Sequence, residues 1–334
     1  MYKLIRSLLF QLEPETAHHL TLRMMRIGGI QPIYALLQML YSALPKPVEA
    51  FGLTFKNPVG LAAGYDKDGI AVRGLSTLGF GHIEVGTVTP RPQPGNPKPR
   101  VFRLVEDEAV INRMGFPGKG ADNVSHQLLE VSSQRSVICG LNLGKNKDTP
   151  LEDAANDYIM LMQTFAPLAD YMTINISSPN TVGLRRLQGR EMLETLLGAV
   201  ANGRVGAQHA VPLLVKLAPD LIDEELDDAV GVILDTGMDG IIATNTTLAR
   251  EGLRSRHREE TGGLSGSPLR AQSEAMLEKI VRRVDGRVPI VSVGGIMSPE
   301  DAKRRLDMGA TLVQIYTGLI YRGPGLVKSI INSL

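Results

Sequence analysis

An apolar, strand-like segment of this 334-residue chain ends in Asn175-Ile176-Ser177-Ser178-Pro179-Asn180-Thr181, a run of amides and hydroxyls with no charge. A hydroxyl flanked by hydrogen-bonding amides suits proton transfer on a small, polar, planar substrate. It does not suit metal binding, and no histidine stands nearby to complete a serine–histidine nucleophile. The same pattern recurs in Gly140-Leu141-Asn142-Leu143-Gly144, Ile111-Asn112-Arg113-Met114-Gly115-Phe116 and Ala243-Thr244-Asn245-Thr246-Thr247. Asparagines converging from separate strands make a neutral pocket that both donates and accepts hydrogen bonds. Two lysines add charge. Lys67 follows Ala62-Ala63-Gly64-Tyr65-Asp66 and offers a cation for a substrate carboxylate, unless Asp66 and Lys67 form a solvated turn pair. Lys216 lies inside Val215-Lys216-Leu217, where burial is costly without an anion; a structural salt bridge is the alternative.

These segments need a frame that brings strand ends together. Short apolar runs fall at 58–63, 81–86, 137–143, 170–176, 211–217, 239–244, 288–293 and 311–316. Most are continuously apolar, as in parallel strands covered on both faces. Helical patterns lie between them near 68–78, 119–132, 150–165, 189–202, 222–236, 270–284, 299–308 and 324–333. Thr149-Pro150-Leu151-Glu152 has the spacing of a capping box, and Ser298-Pro299-Glu300-Asp301 starts a helix in the same style. Eight strand–helix pairs predict a closed (β/α)₈ TIM barrel, of class α/β, rather than an open doubly wound sheet. Polar residues just after each strand then face one mouth. The stiff insertion Thr89–Arg100 leads into a predicted hairpin, Val101–Leu104 with Ala109–Ile111, at that mouth. Gly294-Gly295 after the seventh strand and Tyr316-Thr317-Gly318 after the eighth occupy the places where such barrels hold phosphate; Thr261–Gly266 adds a glycine-rich wall. A lone Gly-Gly is more often a plain turn, but the two segments in this order favour a phosphate-bearing cofactor or substrate.

Residues 1–44 read differently from 45–334. Leu4, Ile5, Leu8, Leu9 and Leu12 share one helical face. Pro14 opens a second helix with Ala17, Leu20, Met24 and Ile27 that stops at Gly28-Gly29, and Pro32 opens a third piece. Short amphipathic helices with a basic fringe lie in membrane interfaces; an ordinary cap packed on the main domain is the bland alternative. Pro45-Lys46-Pro47 separates this extension from the barrel. No run of about 18 apolar residues exists to span a bilayer, and no secretory signal is convincing. Net charge is +1 without a basic run, which argues against nucleic acid. The single cysteine, Cys139, rules out a disulfide framework, and the histidines lack metal-site spacing, so no metal is expected.

Taken together, these blocks resemble the dihydroorotate dehydrogenase family, in its membrane-associated, quinone-linked class 2. The resemblance runs from Phe10-Gln11-Leu12-Glu13-Pro14-Glu15 through Gly60-Leu61-Ala62-Ala63-Gly64, Gly86-Thr87-Val88-Thr89-Pro90-Arg91, Asn175–Thr181 and Gly262-Gly263-Leu264-Ser265-Gly266 to Gln314-Ile315-Tyr316. It implies FMN as cofactor, oxidation of (S)-dihydroorotate to orotate in pyrimidine biosynthesis, and electron delivery to a membrane quinone. It implies a peripheral place on the cytoplasmic side of the cell membrane through residues 1–44; we expect a monomer. By motif, Ala63, Gly64, Tyr65, Asp66, Lys67, Thr87, Asn142, Asn175, Lys216, Thr244, Gly266, Gly295, Tyr316 and Thr317 would hold FMN. Lys67, Asn112, Arg113, Met114, Gly115, Phe116, Asn175, Asn180, Asn245 and Thr246 would line the orotate site. His18, Arg103 and Tyr316 match the quinone-proximal positions.

The resemblance makes Ser178 the catalytic base, where soluble class 1 enzymes carry cysteine. A free hydroxyl is a poor base, so a bound water or a threonine is expected to relay its charge. Tyr65, Pro117-Gly118 and Val182 depart from the family's usual residues; the first two sites would reshape the substrate wall, and Val182 would loosen the Ser178 loop. The main rival is a soluble class 1-like enzyme using fumarate or NAD. Another is a phosphate-binding barrel acting as a non-catalytic membrane adaptor.

Overall fold

The computed structural model describes residues 2–132, 136–204 and 211–334. The chain opens with three helices, α1 (Tyr2–Leu9), α2 (Pro14–Gly28) and α3 (Ile33–Tyr41). Glu13 caps α2 by accepting from the Thr16 amide, with Pro14 at the first helical position. After the Pro45–Pro47 link comes a hairpin, β1 (Val48–Ala50) and β2 (Leu53–Phe55), which sequence patterning did not single out.

The alternating core follows: β3 (Val59–Leu61), α4 (Val72–Ser76), β4 (His82–Val88), β5 (Val101–Leu104), β6 (Ala109–Asn112), α5 (Gly120–Ser132), β7 (Ile138–Leu143), α6 (Ala154–Phe165) and β8 (Tyr171–Asn175). It continues with α7 (Arg190–Arg204), β9 (Leu213–Leu217), α8 (Asp223–Asp235), β10 (Gly240–Ala243), β11 (Gly263–Gly266), α9 (Arg270–Val284), β12 (Ile290–Val293), α10 (Pro299–Asp307), β13 (Leu312–Ile315), α11 (Thr317–Arg322) and α12 (Gly325–Ser333). The parallel strands β3, β4, β7, β8, β9, β10, β12 and β13 close into a barrel in that order, as the eight apolar runs predict. Their residues are almost all buried, because helices cover the outer face and side chains fill the inner one. The Ile242↔Lys216 and Asn175↔Lys216 pairings bring polar strand ends to one level at the mouth.

Several expectations need correction. The Thr149–Glu152 box starts no helix. The Thr149 hydroxyl and the Asn146 amide both donate to Asp157, and α6 begins only at Ala154. The helix expected over 68–78 shrinks to Val72–Ser76, because Asp66 accepts from the Ile70 and Ala71 amides and holds the preceding loop out of helical register. The β5–β6 hairpin forms as expected, but β11 pairs with β6 and makes it a three-stranded sheet over the mouth. At the opposite end the β1–β2 hairpin plugs the barrel. Phe55 meets His82 edge-on at 5.4 Å, and Phe51 lies 6.3 Å from Tyr171. His82 lies across Gly60, where a Cβ would come within 2.0 Å of the imidazole, so only glycine fits there.

The N-terminal helices dock on the barrel only along a narrow seam. Ala17 and Leu22 of α2 are buried and α2 packs on α4, but α1 and α3 bury no residue. Leu4, Leu8, Leu20, Met24, Ile27, Leu36, Met39 and Leu40 all stand exposed. An ordinary cap would bury that face. Apolar side chains of all three helices are therefore left uncovered by the rest of the protein. No helix of the described residues is long and apolar enough to cross a membrane.

Candidate active site

A cavity of about 250 Å³ runs from between α1 and α2 down to the barrel mouth. A water needs only about 10–15 Å³ on the same measure, so this space suits ligands rather than solvent alone. It reaches Ser178 and the β8 end at Asn175, and it is walled by Lys67, Thr87, Lys216 and Thr244. Asn112, Met114, Gly115 and Phe116 of the β6 end, with Asn180, Asn245 and Thr246, line the same cavity. Ala63, Gly64, Gly266, Gly295 and Thr317 also line it, as do His18, Tyr65, Arg103 and Tyr316. Residues far apart in the chain therefore meet as expected. Three predicted contacts do not reach the cavity wall. Asp66 is fully buried, its carboxylate taken up by loop amides. Arg113 turns away to pair with Glu260 at 2.6 Å and to lie over the Phe102 ring. Asn142 sits one layer beneath the surface of the site.

That lower layer sets the hydrogen-bond polarity above it. Glu84 points into the barrel interior, wholly buried, and accepts from Asn142 Nδ2 at 2.6 Å and Gln314 Nε2 at 2.7 Å. With its Nδ2 given to Glu84, Asn142 turns its Oδ1 upward. That oxygen accepts from Thr87 Oγ1 at 2.5 Å and Asn175 Nδ2 at 2.8 Å. Asn175 Oδ1 in turn accepts from Asn245 Nδ2 at 3.3 Å. One acid thus orients Asn142, Asn175 and Asn245 in sequence. The sequence reading missed Glu84, although an acidic residue inside the apolar run His82–Val88 is the same signal that flagged Lys216.

The loops carrying the reactive groups are braced from behind. Arg185 donates to the Ser177 carbonyl at 3.0 Å and the Thr246 carbonyl at 2.8 Å, and pairs with Asp220 at 2.6 Å, tying the Ser178 loop to the Asn245 loop. Asn96 Nδ2 donates to the carbonyls of Arg113 and Asn180, each at 3.0 Å. Arg100 grips that insertion through the Pro94 and Asn96 carbonyls, and binds Glu15 of α2 through both carboxylate oxygens. Ser178 is buried, and its Oγ accepts from the Asn180 amide at 3.2 Å. Thr181 Oγ1, three residues on, is buried with no hydrogen-bond partner among the described residues. Val182 stands almost fully exposed beyond it.

Charge is sparse and shaped by burial. Burial pulls the Lys67 ammonium down to about 8, against the opposing pull of Glu15 and Asp68. It also lowers Lys216, which Glu84 partly offsets. Lys216 is 6% exposed and, among the described residues, makes no hydrogen bond or ion pair, so its charge is left for a ligand. Burial, reinforced by Lys67, pushes His18 down to about 3, leaving a neutral ring at physiological pH. That ring meets Tyr65 edge-on at 5.2 Å, and Tyr65 meets Tyr316 at 5.8 Å, forming an aromatic file from α2 to the β13 end. Arg103 anchors α1 by donating to the Leu9 and Leu12 carbonyls.

The donor set fits a flavin mononucleotide. An unpartnered buried cation, Lys216, faces the cavity at the barrel axis. At the β12 and β13 ends, the Gly294 and Gly295 amides donate to no backbone carbonyl among the described residues. Beside them the Thr317 and Ser265 hydroxyls share a 2.9 Å hydrogen bond. Among the described residues no cluster of side chains could hold a metal ion.

Comparisons with known proteins agree with this geometry. Residues 47–334 match the family profile described as dihydroorotate dehydrogenase. The chain is 49% identical over 342 residues to the dihydroorotate dehydrogenase (quinone) of Azotobacter vinelandii, covering 100% of this chain and 96% of that protein. It is 50% identical over 340 residues to the protein of the same name from Burkholderia thailandensis, covering 100% and 97%. Among solved structures, DHODH from Eimeria tenella in complex with ferulenol superposes with a TM-score of 0.87 at 40% identity, over 96% of this chain and 90% of that one. The ligand-free form gives 0.88, over 96% and 93%.

Proposed function

This chain belongs to the dihydroorotate dehydrogenase family, and from that premise we propose that one cavity seats FMN and dihydroorotate side by side while α1 and α2 admit the quinone. The enzyme oxidises dihydroorotate to orotate in pyrimidine biosynthesis, with a quinone as acceptor. Enzymes of this quinone-linked kind are flavin-dependent and membrane-associated. FMN held there would supply a two-electron acceptor for the hydride from C6 of dihydroorotate and, once reduced, an electron donor for the quinone.

The chain's own groups do the rest. Ser178 Oγ takes the proton from C5, and the Asn180 amide that donates to it lowers the cost of charge there. Thr181, three residues along the same loop and with a buried hydroxyl that has no hydrogen-bond partner among the described residues, is the group that would pass that proton outward, directly or through water. The Asn175 and Asn245 amides, fixed in polarity from Glu84, together with Asn112 and Asn180, meet the imide and carboxylate edges without adding net charge. Lys67 balances the substrate carboxylate. Lys216 stabilises negative charge that builds on the cofactor ring during reduction. The Gly294–Gly295 loop and Thr317 take the phosphate.

Residues 1–44 form an extension whose exposed apolar face rests on the cytoplasmic side of the cell membrane. His18, Tyr65, Arg103 and Tyr316 line the path from there to the flavin, and the protein acts as a monomer. The observation that carries this reading is the shared cavity: Ser178, Lys216 and His18, from three distant parts of the chain, open onto the same space. A soluble enzyme using fumarate or NAD would need neither the exposed face nor the aromatic file. The test is a visible spectrum of the purified protein. It should be yellow, bleach on anaerobic addition of dihydroorotate, and recover on adding quinone but not fumarate or NAD. A colourless protein, or a spectrum indifferent to dihydroorotate, refutes the assignment.

A further inference from the structure

Arg305 of α10 is among the largest fully buried side chains, yet it touches no part of the cavity. Its Nη2 donates to the Gly294 carbonyl at 2.8 Å, the Arg270 carbonyl at 3.1 Å and Ser273 Oγ at 2.7 Å. Its Nη1 donates to Ser292 Oγ at 3.3 Å, and Glu274 lies 3.4 Å from Nε. Ser273 Oγ gives the Gly294 carbonyl a second donor at 2.8 Å. In a trans peptide the C=O and the following N–H point in opposite directions. A Gly294 carbonyl held back toward Arg305 therefore aims the Gly295 amide forward, where the glycine lines the cavity. The fit leaves little freedom, because a Cβ on Gly295 would come within 2.4 Å of Arg270 Cα.

We propose that Arg305 is a positioning residue for the cofactor's phosphate: from behind the β12 loop it fixes the peptide whose amide receives that group. One arm of the planar fork, Nη2, holds the Gly294 and Arg270 carbonyls while the other, Nη1, is fixed on Ser292, an orientation that the single ammonium of a lysine would not keep. Its charge, buried behind an anion site, also favours the dianion. This inference rests on the FMN reading above, so its test separates the two.

Apo-protein is titrated with FMN and with riboflavin, which keeps the ring and lacks the phosphate. Wild type should prefer FMN strongly. Loss of a charged donor to a buried carbonyl weakens binding by about 10- to 100-fold, so Arg305→Met should lose about that factor for FMN and stay within about threefold for riboflavin. Arg305→Lys should fall between, because it keeps the charge and loses the fork. Equal losses for both ligands, or none, overturn the proposal while leaving the cofactor assignment intact. A wild type that binds both ligands equally overturns both. Should Arg305→Met fail to fold, Ser273→Ala removes the other donor to the same carbonyl. A selective loss for FMN then supports the proposal, and an equal or absent loss overturns it.

Discussion

Replacing Lys216 with methionine should move stability and catalysis in opposite directions. The lysine sits in β9 at 6% exposure with no partner among the described residues. Burial depresses its ammonium, and Glu84 restores only part of what is lost. A depressed lysine disfavours folding wherever the unfolded chain holds the proton more tightly. The penalty is therefore present at neutral pH, and stability rises as pH climbs from the folded-state value toward the unfolded one, near 10.5. Methionine has similar length and no charge. Exchanging poorly compensated buried charge for packed apolar side chains gains about 1–4 kcal/mol, so the apo-protein should become more stable by the lower part of that range. The same change removes the cation facing negative charge that develops during reduction. Loss of one such preorganised group costs about 10²- to 10³-fold in rate. Urea unfolding of apo-protein at pH 7 and pH 10 measures the first effect, and stopped-flow bleaching by dihydroorotate measures the second. The stability gap should narrow at pH 10. A Lys216→Met protein that is less stable than wild type at pH 7, or that bleaches at the wild-type rate, refutes the reasoning.

Other substitutions probe separate parts of the site. Ser178→Ala should keep its yellow colour but slow dihydroorotate-driven bleaching by about 10²- to 10⁴-fold near neutral pH; an unchanged stopped-flow rate removes the base assignment. Orotate affinity should hold steady below neutral pH and weaken as pH rises through about 8, where free Lys67 loses its proton. A Lys67→Met variant should bind weakly with no such dependence, and spectral titration distinguishes the two. Removing residues 1–44 should leave flavin bound and bleaching intact while abolishing sedimentation with lipid vesicles and slowing quinone turnover; full quinone activity in the truncated protein contradicts the port.

Much of this was legible in the chain itself. Eight apolar runs with helical patterns between them determine a barrel, because a strand covered on both faces must be apolar throughout and a helix on its surface must not be. Polar residues at the ends of those runs then have to share a mouth, so Asn175, Ser178, Lys216 and Asn245 could be grouped from position alone. Local capping signals were less secure: Ser298 caps α10 as its spacing predicts, whereas Thr149 gives its hydroxyl to Asp157, a partner whose register only the folded loop fixes. Tertiary structure alone decided where side chains of one segment part company. Lys67 faces the cavity while its neighbour Asp66 is bound by amides, and Arg113 leaves the substrate wall for Glu260 because a three-stranded sheet brings Glu260 within reach. It also decided that Leu8, Met24 and Leu36 stay exposed. An amphipathic period says that a helix has an apolar face, but not whether the protein or something outside it covers that face.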